Sequence, residues 1–168
     1  MNSNVEFNKN VKLSQYFTLG ELCKTSVKTK DGNIPSRVHI ENLKRLCGWL
    51  EKLRDEWNKR YADVRCQKED GRCSHEDPII INSAYRSAAV NKAVGGAATS
   101  NHLTGCAADI RCKGMEQAIR YAFILLDISD ESKEDFDELL IEQSAKSIWV
   151  HFAVRPEGNR RKVAFLRK

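Results

Sequence analysis

The chain has 168 residues, with 28 Lys and Arg against 23 Asp and Glu, a net charge of +5, and 41% hydrophobic and 30% charged residues. That length suits one compact domain able to bury a core without covalent staples. The apolar content excludes global disorder, and no run approaches the ~20 apolar residues of a membrane span.

Residues 1–12 are polar, with Asn2, Asn4, Asn8 and Asn10, and read as a flexible arm without the apolar stretch of a secretory leader. The domain is expected over residues 13–168, as a monomer. Synthesis in the cytoplasm is the expectation, and work outside it would need another route of release. Thr18-Leu19-Gly20-Glu21 fits a helix capping box. From Val38 the apolar residues Ile40, Leu43, Leu46, Cys47, Leu50, Leu53 and Trp57 recur at three and four, which predicts a long amphipathic helix to about Tyr61.

Residues 65–77 are too polar for a core element and read as a surface loop. Cys66, Cys73 and His75 within it offer a weak zinc-knuckle alternative, since no CxxC pair is present. The six cysteines, Cys23, Cys47, Cys66, Cys73, Cys106 and Cys112, are expected as reduced thiols, several of them buried. Pro78–Asn82 and Ala107–Arg111 read as short strands. Met115–Leu126 reads as a helix with Ile119, Ala122, Phe123 and Leu126 on one side. Phe136–Gln143 and Ile148–Val154 read as a hairpin. The order gives an α+β domain with a small antiparallel sheet and flanking helices. The closing residues Arg155, Arg160, Arg161, Lys162, Arg167 and Lys168 are read as a solvated basic tail. Without interleaved aromatics they do not suggest a nucleic-acid partner.

Of the four histidines, His39 and His75 read as surface residues. The segment 100–109 has the form SxHxxGxAxD, in which Gly105 lets the chain turn so that His102 and Asp109 converge. In Ile148–Val154, Trp149, His151 and Ala153 share one face of an alternating strand. Two imidazoles and a carboxylate, His102, Asp109 and His151, are the donors of a catalytic zinc site. A general base is then needed beside it. With Lys146 and Ser147 at the hairpin tip, Glu142 falls directly opposite His151, with Cβ atoms about 5 Å apart. Asp137 and Glu138 remain competitors. Arg86, just beyond the strand ending at Asn82, is placed to hold a carboxylate or a developing oxyanion.

The segments SAYRS (83–87), VNKAVGGAATSNHLTGCAADI (90–110), FDELLIE (136–142) and WVH (149–151) resemble the zinc D-Ala-D-Ala carboxypeptidases. That superfamily includes phage L-Ala-D-Glu endopeptidases and shares its fold with the Hedgehog signalling domain. LSQYFTLGELCKTS (13–26) and LEKLRDEW (50–57) fit its small single-domain branch, so the resemblance runs from about residue 13 to 166. It implies one zinc ion held by His102, Asp109 and His151, Glu142 as the base, Arg86 as a substrate or intermediate contact, and Ser100 as a substrate contact. The implied substrate is peptidoglycan or its peptide precursors. Many relatives place the acid three residues before the last histidine, where this chain has Ile148. A zinc-binding wall or protein-interaction module without catalysis is the alternative.

Overall fold

The computed structural model describes residues 8–61 and 77–168. The expected arm thus lies outside the described residues up to residue 7, as does the Cys66, Cys73 and His75 grouping. Residues 9–12 are hydrogen-bonded to the start of the first helix, through Lys9 O to Gly20 N and Val11 O to Leu19 N.

Thr18 caps α1 (Leu19–Leu22), its hydroxyl accepting from Glu21 N at 3.3 Å. The apolar periodicity after Val38 becomes α2 (Arg37–Tyr61), which buries Leu43, Leu46, Cys47, Leu50, Leu53 and Trp57. There follow β1 (Ile81–Ser83), α3 (Ala88–Ala93), a 3-10 helix (Asn101–Thr104), β2 (Ala107–Cys112), α4 (Met115–Ser132), β3 (Glu138–Gln143), β4 (Ile148–Ala153) and β5 (Lys162–Arg167).

The strands form one five-stranded sheet in the order β1-β2-β4-β3-β5, antiparallel except for the β3–β5 pair. The fold is a single-domain α+β unit with a mixed sheet and flanking helices. β5, in a segment that reads from sequence as a solvated tail, makes the sheet mixed rather than wholly antiparallel. After β4 the chain crosses the end of β3, with Arg161 N and Lys162 N donating to Phe136 O and Asp137 O. It then lies parallel on β3's outer edge.

The pleat sorts the side chains. Ala108, Ile110, Val150, Phe152 and Leu139 face the helices and enter the core. There Trp49 of α2 packs on Phe152 and Phe136, and Trp57 meets Tyr121 of α4 edge-on at 4.8 Å. The opposite face carries Asp109, His151, Glu138, Leu140, Glu142 and Lys162, as the strand registers require. α4 packs Ala122 and Leu126, on the side read from sequence, partly buried against the core. It buries Ala118, Tyr121, Ile124, Leu125 and Ile128, whereas Phe123 is 61% exposed. The helix is apolar around most of its circumference, so periodicity alone could not choose the face. No helix among the described residues is long and apolar enough to cross a membrane.

Gly105 joins the 3-10 helix to β2 at φ +72°, and a Cβ there would stand 2.7 Å from His39 O. Substituting Gly105→Ala therefore adds left-handed strain and a backbone clash. A loss of about 1–3 kcal/mol is expected for the strain alone. Each kcal/mol should lower Tm by about 2–4 °C in a chain of this size. An unchanged melting curve would show that the turn tolerates a side chain.

Candidate metal centre

Asp109 and His151 are directly paired across β2 and β4. His102 reaches them from the preceding 3-10 helix, because the Gly105 turn folds that helix back over the strand. Ser100 caps this helix, its hydroxyl accepting from His102 N at 3.3 Å. The side-chain donor atoms of His102, Asp109 and His151 lie within 4.8 Å of one another, and the two imidazole rings are 5.0 Å apart. The sequence-expected trio is thus one cluster, and its donor set suits a zinc ion with a coordination position left for water or substrate.

Each donor is oriented by a neighbour. His102 Nδ1 donates to Ala84 O at 2.6 Å, which leaves Nε2 facing Asp109 Oδ1 at 3.2 Å. His151 Nδ1 lies 2.9 Å from the same oxygen. Arg86 Nη2 donates to the other oxygen, Oδ2, at 2.5 Å, while Arg86 Nε donates to Ser83 Oγ at 2.8 Å. The guanidinium therefore fixes the Asp109 carboxylate, and further N–H groups remain beyond those two bonds.

Burial opposes ionisation of Asp109, but the two imidazoles outweigh it and hold its carboxyl well below the usual carboxylate range. Burial likewise disfavours a charged His151. Hydrogen bonding to Asp109 and Glu138 prevails and lifts it to about 9 in the metal-free protein. The same contact with His151 is the main cause that brings Glu138 down to about 2.

A raised folded pKa stabilises at low pH. The His151 contribution is full below its ordinary value of 6.5 and is lost as pH rises through about 9. Metal ligation needs the neutral imidazole. Zinc affinity should therefore climb by about tenfold per pH unit toward pH 9, with one proton released per zinc near pH 7. Calorimetry in buffers of differing ionisation enthalpy measures that proton, and a release of none would contradict the charged His151.

The cluster opens into a cleft of about 700 Å³ lined also by Arg86, Ser100, Glu138, Glu142, Trp149 and Lys168. Glu142 is on the expected face but not opposite His151. The hairpin closes through Ser144 N to Ser147 O, with Ala145 and Lys146 between, so Leu140 pairs with His151 and Glu142 with Trp149. The register is offset by two residues, and an even offset preserves the face. Glu142 is 5% exposed, and Lys168 Nζ donates to its Oε2 at 2.7 Å.

Asp137, one of the competitors, is 0% exposed and turned away into a cation network. Arg160 grips both its oxygens at 2.8 and 2.7 Å, Asn101 Nδ2 donates at 2.7 Å, and Arg155 approaches to 3.1 Å. This ties the His102 segment to β3 and to the loop after β4. Arg155, Arg160, Lys162 and Lys168, read from sequence as solvated, are thereby part of the cleft wall. Their weak signal was the alternation of Lys162, Ala164, Leu166 and Lys168 toward the site. Cys23, Cys47, Cys106 and Cys112 are buried free thiols, and burial pushes Cys23, Cys47 and Cys112 up to about 12.

The Peptidase M15 family matches residues 65–151, just over half of the chain and the whole stretch from Arg86 to His151. The chain belongs to the peptidase M15 family. No curated protein matches it. M15 proteins are metallopeptidases, typically of zinc, and membership implies a peptidase-type hydrolase and suggests a peptide substrate. The His102–Asp109–His151 cluster lies within the matched stretch and could hold a metal ion.

Proposed function

We propose that the chain is a zinc-dependent peptidase that hydrolyses peptide bonds in peptidoglycan stem peptides, either as a D-Ala-D-Ala carboxypeptidase or as an endolysin-type endopeptidase. The observation that carries the reading is the His102–Asp109–His151 cluster opening into a cleft that also holds Glu142 and Arg86. Zinc, when bound there, supplies a Lewis acid that acidifies water and polarises a carbonyl.

Glu142 takes the proton of the attacking water and returns it to the leaving amine. Its Oε1 makes no hydrogen bond or ion pair among the described residues, whereas both oxygens of Glu138 are engaged. That contrast supports Glu142 over Glu138 as the base. Arg86 holds Asp109 and directs remaining donors toward the charge that develops on the carbonyl oxygen. Ser100, whose oxygen accepts the helix-cap bond, keeps its hydroxyl proton for a substrate carbonyl.

The test is incubation of the zinc-loaded and chelated protein with purified peptidoglycan, read by mass spectrometry of released peptides. New termini only with zinc establish the activity, and fragment masses name the bond. Zinc bound at one per chain without cleavage of several wall chemistries would replace the reading with a non-catalytic binding module.

A further inference from the structure

A histidine ligand must present a bare nitrogen to its metal, so something must hold the proton on the other one. For His102 that group is the Ala84 carbonyl. For His151 a side chain stands in the corresponding place. His151 Nδ1 faces Asp109 Oδ1 at 2.9 Å, while Nε2 faces Glu138 Oε2 at 3.5 Å. We propose that Glu138 is a positioning residue of the metal centre, keeping the proton on His151 Nε2 and so making Nδ1 the ligating nitrogen. The inference rests on the metal-site reading of His102, Asp109 and His151.

The surroundings of Glu138 suit that task. It sits on the site face of β3, paired with Ala153 of β4 and Lys162 of β5. The small Ala153 lets its side chain lean diagonally toward His151, within reach for a long residue. Its oxygens are separately engaged. Oε2 accepts from Asn101 Nδ2 at 3.1 Å and faces His151. Oε1 meets Lys162 Nζ and Arg160 Nη2, each at 3.2 Å. A carboxylate held from three sides has one orientation to offer, and that orientation points at Nε2. Asn101 immediately precedes His102, so the same carboxylate also references the segment carrying the first ligand. Without it the only carboxylate left facing the ring among the described residues is Asp109, beside Nδ1, which would draw the proton to the nitrogen that must be bare.

The experiment measures zinc affinity by competition with a chromophoric chelator for wild type, Glu138→Ala and Glu138→Gln. It also records the long-range proton–nitrogen spectrum of His151 in the zinc-loaded wild type. Glu138→Ala should bind zinc about 10–100-fold more weakly. Glu138→Gln, whose amide oxygen still accepts from Nε2–H, should recover most of that loss. The spectrum should show a protonated Nε2 and a metal-bound Nδ1. Wild-type affinity in Glu138→Ala, or ligation through Nε2, would overturn the inference while leaving the metal site standing. If Glu138→Ala does not fold, the wild-type spectrum decides alone. Failure of the wild type to bind zinc would remove the metal-site reading and the inference together.

Discussion

Glu142→Gln should bind zinc at the wild-type stoichiometry and lose activity by about 10²–10⁴-fold, the usual worth of a positioned general base. The amide has nearly the shape of the carboxylate but cannot take a proton from water at neutral pH. None of the ligand contacts involves Glu142, so His102, Asp109 and His151 should stay as they are. The substitution also breaks the ion pair with Lys168, whose side chain is 57% exposed. Glu142 itself is buried, but the amide oxygen can still accept from Lys168 Nζ, so the change should cost about 1 kcal/mol and leave the protein folded. The pairing of readouts decides the assignment. Lost turnover with retained zinc places the base at Glu142. Retained turnover moves it elsewhere, and the parallel Glu138→Gln variant, expected to keep most activity, shows whether it is there.

The parts of this site that could be read from sequence are those set by short-range geometry. His102 and Asp109 are separated by one turn that only a glycine enters easily, and β4's alternation places His151 on a known side. The face of Glu142 was legible for the same reason, although its partner was not. The Ala145-Lys146 tip has no Asn-Gly signal to fix a register, and the shift by two left parity intact. Long-range facts were not legible. Nothing local says that residues 162–167 return to pair in parallel with β3, since Val163 and Phe165 are 54% and 52% exposed and the lysines read as solvated. Missing that strand hid the cations that engage Glu138 and Glu142. It also left the choice among Asp137, Glu138 and Glu142 open, which the hydrogen-bond partners of each carboxylate now inform.

Asp109→Asn is expected to abolish tight zinc binding and, with it, hydrolysis. Asp109 Oδ1 is the meeting point of both imidazoles, and Oδ2 is held by Arg86. Four ligands in structural zinc sites share about 10–16 kcal/mol, so loss of one anionic donor should weaken binding by roughly 10²–10³-fold. The substitution also leaves the Arg86 guanidinium, only 16% exposed, facing a neutral amide. An unmatched charge-assisted hydrogen bond should cost the metal-free protein about 1–3 kcal/mol. His151 limits the damage, because without Asp109 its main support for the charged form is gone and it can shed the proton. Thermal melting with and without metal separates the two effects. At zinc one hundred times above Kd the wild type gains about 2.7 kcal/mol, hence a Tm rise of about 5–11 °C. Asp109→Asn should start lower and not rise at that zinc concentration. An equal rise in both proteins would mean that zinc is held by other residues, and that the cluster at the mouth of the cleft is an ion-paired strut of the sheet.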